Sequence, residues 1–285
     1  MIIINEILTL FRKELPEMLM SDETIITILS DKKNHFICRR QNDNLIGISV
    51  INENTIYLLL VDKLRQGCGV GTSLLEESEE YVKTKGFSKI VLGAGNDYIM
   101  PGVPMNRGAH KFFVKHGYSH SWGDEGCFDL SMSLCDFNYT EHRLGDTIDG
   151  SLYRFAVLSD IQGIAACCEE DASDFIVHYM NEELYKPDST DPVIVAEKNG
   201  EILSALMIGI ESGDNNIGYA GCIITKPRHR NKGIAANILN IGTRHMKDMG
   251  LEQVWLSYTY SAIVNTYSKL GYKVCMEYFM GEKEF

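Results

Sequence analysis

Proline is scarce in this chain, with six residues in 285, and no apolar run approaches the ~20 residues that span a bilayer. A collagen-like or membrane-spanning chain is thereby excluded. The opening Met1-Ile2-Ile3-Ile4-Asn5-Glu6 has no basic stretch before its first acid, so no secretory signal is expected. Positive charge is also short: 27 Lys and Arg stand against 39 Asp and Glu, a net charge of −12 shared evenly by the two halves. Broad nucleic-acid binding rests on neutralised phosphates, so that class drops out. The acidic surface suits a cationic substrate, but plain solubility is its commoner reading. Among the eight cysteines there is no C-x-x-C, and no Cys/His spacing reads as a metal site, so no metal is expected. The cysteines fit a reduced, cytoplasmic chain, with Cys38, Cys222 and Cys275 read as small core side chains among apolar, strand-like neighbours. A P-loop is absent, and the glycines lack the dinucleotide-binding spacing.

What is there is a duplication. Arg65-Gln66-Gly67-Cys68-Gly69-Val70-Gly71 aligns with His229-Arg230-Asn231-Lys232-Gly233-Ile234-Ala235 at an offset of 164 residues. The offset carries on through Gly86 and Gly250, then through Ile90-Val91-Leu92 and Val254-Trp255-Leu256. It falls to 154 at His116-Gly117-Tyr118 and Leu270-Gly271-Tyr272, so the first copy holds ten extra residues, near Asn96 to Met105. That segment contains Pro101-Gly102-Val103-Pro104, too rigid for a simple turn. It either walls a substrate site in the first copy or docks one copy on the other.

Each copy predicts the same order of elements. Thr55 to Val61 and Ile217 to Thr225 read as buried strands, the second stopped by Pro227. A helix follows each glycine turn, with a stripe of Leu74, Leu75, Tyr81 and Val82 in one copy and Ile234, Ile238 and Ile241 in the other. Gly86 and Gly250 are the stops. Asn42-Asp43 and Asn199-Gly200 mark hairpins upstream, and Ser159-Asp160-Ile161-Gln162 reads as a capping box. The polar stretch 138–150 is a linker, which places domains at 1–137 and 151–285. The fold class is α/β (α+β), with two tandem domains, each a mixed central sheet flanked by helices.

A turn that leaves a strand and opens directly into a helix aims several backbone N–H groups at one spot, with the positive end of the helix dipole behind them. Glycine lets a ligand approach without a Cβ in the way. A phosphate or pyrophosphate fits such a cradle, and finding it twice at matched positions favours a ligand over a bare turn.

These residues resemble the (Gln/Arg)-x-x-Gly-x-(Gly/Ala) signature of the GNAT superfamily of N-acetyltransferases. The closing stretches Phe113-Val114-Lys115-His116-Gly117-Tyr118 and Tyr267-Ser268-Lys269-Leu270-Gly271-Tyr272 resemble that family too. The likeness covers nearly the whole chain as a tandem pair. It implies acetyl-coenzyme A as cosubstrate and an amine-bearing small molecule or peptide as acceptor, with the acetyl group near the splay of two central strands. Gln66, Gly67, Cys68, Gly69, Val70 and Gly71 would hold one pyrophosphate. Arg230, Asn231, Lys232, Gly233, Ile234 and Ala235 would hold the other, with Arg228 adding charge. Leu60 and Val61, and Ile223, Ile224 and Thr225, would offer main-chain groups to the pantetheine arm.

The family often has an Asn that contacts the coenzyme, seven residues before a Tyr near its sulfur. In the first copy Asn106 is kept and the Tyr is Phe113; in the second Tyr267 is kept and the Asn is Tyr260. A phenol can give a proton to the departing thiolate and a phenyl ring cannot. The resemblance therefore implies an N-acetyltransferase with Tyr267 as general acid and the second copy catalytic. The alternatives are catalysis by the first copy and a non-catalytic acyl-CoA-binding protein. Glu211 and His178 are weighed as bases, against their plain readings as a surface carboxylate and an ordinary helix residue. A homo-oligomer is compatible with all of these readings.

Overall fold

The computed structural model describes residues 2–94, 98–122, 125–135, 137–169, 172–210 and 216–285. Its contacts divide the chain into two compact units. One is Met1–Phe128 with Tyr260–Ala262 and Met276–Phe285; the other is Asp129–Thr259 with Ile263–Cys275.

The first unit opens with α1 (Ile2–Glu14), which buries Ile7, Leu10 and Phe11 at helical spacing and ends on Arg12 and Lys13, where cations suit the helix dipole. In α2 (Asp22–Leu29) the Ser21 hydroxyl caps the first turn, accepting from the Thr24 amide at 3.1 Å. Strands β1 (His35–Gln41) and β2 (Asn44–Asn52) form the expected hairpin, with Asn42 and Asp43 at φ 48° and 64° as a type I′ turn requires. The strand β3 (Thr55–Val61), the helix α3 (Val70–Thr84) and the strand β4 (Lys89–Leu92) follow. After them come the short β5 (Val103–Pro104), α4 (His110–Lys115) and β6 (Ser119–His120). Leu74, Leu75 and Val82 of α3 pack on Ile51, Ile56 and Ile90 of the sheet.

The chain then passes through β7 (Cys127–Ser133), β8 (Thr147–Ile148) and β9 (Ser151–Phe155), followed by α5 (Ile161–Cys168) and α6 (Ile176–Tyr179). Next come β10 (Val193–Lys198), β11 (Glu201–Ile210) and β12 (Ile217–Thr225). The last elements are α7 (Ile234–Asp248), β13 (Gln253–Tyr260), α8 (Ser261–Lys269), β14 (Lys273–Phe279) and β15 (Gly281–Glu284). In the second unit β9, β10, β11 and β12 are antiparallel neighbours, β13 joins β12 in parallel, and β7 lies on the far side of β13. The β10–β11 turn uses Asn199 and Gly200 at φ 53° and 80°.

The final strand belongs to the first sheet, whose order is β1-β2-β3-β4-β15-β6. β15 pairs antiparallel with β4, Lys283 opposite Ile90, and with β6, Gly281 opposite His120. Lys89 and Glu282 close an ion pair at 3.0 Å across the β4–β15 pair.

Two local expectations are corrected. Ser159 does not cap α5: the Asp160 carboxylate turns back instead, accepting from the Val157 amide at 2.8 Å and pairing with Arg154 at 2.7 Å. A carboxylate with a guanidinium in reach outcompetes a neighbouring hydroxyl for the same turn. Cys275 is exposed on β14, and Cys38 and Cys222 are half-buried, while Cys127, Cys167 and Cys168 are the buried thiols. Apolar neighbours in sequence did not decide which face of a strand each thiol takes.

Candidate functional site

In both units a strand loses its parallel neighbour and then feeds a turn. The β3–β4 pairing ends at Ile56–Leu92, and β3 runs on to Val61. In the second unit β12–β13 pairing ends at Tyr219–Trp255, and β12 runs on to Thr225. A short 3₁₀ turn follows each strand, Lys63–Arg65 in one and Pro227–His229 in the other. Gly69 and Gly233 stand as helix N-caps in the left-handed region, φ 84° and 78°, and each opens a helix of 15 residues. A Cβ built on either glycine meets nothing within 4 Å. The space beside each helix start is therefore open, as a site for an anion at a helix N-terminus requires.

The turns are closed by matching side chains. Gln66 Nε2 donates to the Val61 carbonyl at 3.1 Å, and Arg230 Nε donates to the Thr225 carbonyl at 3.0 Å. The last carbonyl of each strand is thus already an acceptor inside its own turn. Gly67 and Asn231, paired by the repeat, take φ 73° and 60°. Cys68 and Val70 flank Gly69, and Cys68 is exposed. A Cβ on Gly71 would meet the Phe112 ring at 3.5 Å and Val61 at 3.6 Å, ordinary contacts, so Ala235 at the matching position is the same solution with a methyl added.

Charge around the second cradle is partly compensated. Glu201 pairs with Lys226 at 2.8 Å and with Arg228, and these cations hold its carboxyl down to about 2. Lys232 Nζ donates to the Arg228 carbonyl at 3.0 Å. Burial, then the charge of Lys232, pushes the His229 imidazole below its ordinary pKa. Beside the first cradle, Lys13 pairs with Asp62 at 2.6 Å.

Where β3 and β4 part, the first unit has a cleft of about 100 Å³. Leu58, Leu60 and Leu92 line it from the strands, and Phe113 lines it from α4. Met100, Gly102, Val103 and Pro104, from the ten-residue addition, wall it. Asn96 lies outside the described residues. Asn106 sits just before α4 and donates to Glu17 Oε1 at 3.1 Å, beside the Arg107–Glu17 pair at 2.6 Å.

In the second unit Tyr267 is 6% exposed on α8. Burial, and then the nearby Cys222, raise its phenol well above the ordinary value. Cys222 occupies the left-handed region at φ 49°, where the β11–β12 register slips by one residue. Its carbonyl accepts from the buried Tyr179 phenol, and Tyr185 in turn donates to the Tyr179 carbonyl at 2.8 Å. Burial pushes the Cys222 thiol up to about 11, so it carries no thiolate at neutral pH. Tyr179 and the bulge at Cys222 had no signal in the sequence, because a non-glycine residue at positive φ inside a strand follows from register. Ile224 and Thr225 are buried, Ile223 half-buried. His178 is exposed on the four-residue α6. Glu211 lies outside the described residues.

The sequence profile of the Acetyltransferase (GNAT) family matches residues 3–118 and 158–272. No curated protein matches the chain. Among solved structures, it is similar to a GCN5-related glucosamine N-acetyltransferase region in a fungal multi-domain GH3 β-N-acetylglucosaminidase. That match has TM-score 0.80 and 18% identity over 98% of this chain, which spans 37% of the fungal protein. A tandem GNAT protein from the clavulanic acid biosynthesis pathway matches with TM-score 0.72 and 12% identity, covering 99% of this chain and 94% of that one. A GCN5-related N-acetyltransferase from Sphaerobacter thermophilus matches with TM-score 0.67 and 15% identity, covering 93% and 85%. Among the described residues no helix is long and apolar enough to cross a membrane.

Proposed function

The chain belongs to the GNAT acetyltransferase family, and from that premise we propose that it transfers an acetyl group from acetyl-coenzyme A to an amine, with catalysis in the unit that holds Tyr267. The observation that carries coenzyme binding is the duplicated cradle. Two glycine caps at left-handed φ, each with open space around its Cβ position, open a helix after a strand whose parallel partner has departed. The amides of Cys68 to Gly71 and of Lys232 to Ala235 would hold the pyrophosphates, and the parted edges of β3 and β12 would pair with the pantetheine amides.

Acetyl-coenzyme A supplies an activated thioester. Transfer forms a bond from the amine nitrogen to the carbonyl carbon and breaks the bond from carbon to sulfur. The nitrogen loses a proton to solvent, and the departing sulfur needs one. Tyr267 keeps its proton through neutral pH, would hand it to the departing sulfur to form the thiol, and would take one back from solvent. Cys222 is a protonated thiol at that pH, which favours direct transfer over an acyl-enzyme on this residue.

A second reading puts catalysis in the first unit, where a cleft opens at the parting of β3 and β4. The test is release of free thiol from acetyl-coenzyme A with a panel of amines that includes an amino sugar, a polyamine and a peptide N-terminus, beside calorimetric titration of the coenzyme. Turnover with an amine supports the transferase. Coenzyme binding without turnover on any amine makes the chain a binder, and absence of coenzyme binding overturns the reading.

A further inference from the structure

We propose that the cleft of the first unit holds an acyl chain longer than acetyl, carried on coenzyme A, and that its described lining offers no group to hold an amine acceptor. This rests on the coenzyme-binding reading above and names the ligand class of one of its two sites.

The cleft starts where β3 and β4 separate and lies alongside the strand that leads to the Gly69 cradle, so a coenzyme on that cradle would send its acyl end into it. Leu15, Met100 and Val103 come from outside the strand–turn–helix frame, from the region after α1 and from the ten-residue addition. Leu15 and Met100 are 8% and 7% exposed, so these side chains form a packed apolar surface. A two-carbon acyl group needs no such wall, whereas a chain of methylenes gains from each one buried.

The same lining argues against an amine. Among the described residues it contains no carboxylate, imidazole or thiol to accept a proton or hold an ammonium. Its charged member, Arg107, repels a cation and is tied to Glu17 at 2.6 Å. At the position where the second unit has Tyr267, the cleft has Phe113. Residues 102–104 are held close: a Cβ on Gly102 would lie 2.5 Å from the Phe279 carbonyl oxygen, and β5 pairs with Tyr278 and Phe279. The wall is therefore fixed in place by backbone pairing and close contact.

The experiment is calorimetric titration of the full chain with coenzyme A, acetyl-coenzyme A and hexanoyl-coenzyme A. Burial predicts about a fourfold gain per methylene as an upper bound. Hexanoyl-coenzyme A is therefore expected to bind at least tenfold tighter than acetyl-coenzyme A at one site. Val103→Asp, on an edge strand, is expected to abolish that preference and keep coenzyme A affinity within twofold. The wild-type series needs no variant, and hydrogen exchange locates the site: hexanoyl-coenzyme A should add protection at 55–61 and 103–105. Equal affinity along the series, or a preference that maps to 217–225, overturns the inference and leaves the coenzyme reading standing. Failure of all three ligands to bind overturns the reading on which it rests.

Discussion

Gln66 and Arg230, 164 residues apart, do the same work: each donates from its side chain to the carbonyl of the residue five places before it, Val61 at 3.1 Å and Thr225 at 3.0 Å. The bond ties the strand's end to the turn that opens the helix. What the two units share is therefore this closure, and the positive charge of Arg230 is an addition to it.

A swap separates the two contributions. Arg230→Gln should keep the melting temperature within about 2 °C, since Gln makes this bond in the first unit. Arg230→Ala should cost about 1 kcal/mol, the ordinary worth of such a bond. Coenzyme affinity at the second cradle should fall with Ala and stay within about threefold with Gln, a difference of roughly 0.7 kcal/mol. Thermal melts and calorimetry of the two variants check this. Equal loss for both would make charge, and not closure, the function of Arg230.

The second prediction concerns Tyr267. Tyr267→Phe keeps the ring and loses the hydroxyl, so kcat should drop about tenfold or more with coenzyme affinity nearly unchanged. Phe113→Tyr should alter turnover little. Because the phenol is raised, it stays protonated up to and beyond pH 10, so wild-type kcat should show no loss from this group between about pH 7 and pH 10. Full activity in Tyr267→Phe, combined with loss of activity on disrupting the first cradle at Gly69, would transfer catalysis to the first unit.

Much of this architecture was legible because it is local. The helices Val70–Thr84 and Ile234–Asp248 keep the repeat offset to the residue, and so do the 3₁₀ turns before them. Strand composition, a glycine cap and an apolar helical stripe each act over a few residues. Even Gly67 and Asn231 agree, since Asn is the side-chain-bearing residue that best tolerates positive φ. The rest depends on distant pairing. Gly281-Glu282-Lys283-Glu284 has no apolar alternation, and it becomes a strand because β4 and β6 offer free edges on both sides. The bulge at Cys222 comes from a register slip, and the cleft wall at Met100 and Val103 from packing of an irregular segment. Neither follows from a local pattern.

Alkaline stability should report the buried and half-buried thiols of the second unit. Burial raises Cys168 and Cys222 to about 11 and Cys167 to about 12, from an ordinary 9.0. These groups stay protonated in the folded chain while they ionise in the unfolded one. Their contribution is complete below about pH 9 and is lost as pH rises towards about 11 to 12. The melting temperature of the second unit should therefore decline from about pH 9 upward. Cys168→Ala should flatten the start of that decline. A stability curve level to about pH 10.5 would show that these thiols reach water in the folded state.

The last strand provides a test of which unit the chain's end supports. Met276–Phe285 belongs with the first unit, where β15 fills the gap between β4 and β6 and Phe279 packs in the core with Ile90, Leu92 and Phe113. Removing a buried phenylalanine costs about 3–5 kcal/mol. Deleting Met276–Phe285 also breaks the pairing of β15 with two neighbours, so the total should reach the entire stability of an ordinary domain, about 5–15 kcal/mol. Phe279→Ala is the milder form and should lower the first unit's stability by about 3–5 kcal/mol. In hydrogen exchange, the truncated chain should lose protection first at Lys89–Leu92 and in α3, while α7 and β11 retain theirs. The opposite order, with α7 and β11 exchanging first, would mean that the chain's end stabilises the unit encoded next to it in sequence, and that the β4–β15 pairing contributes little.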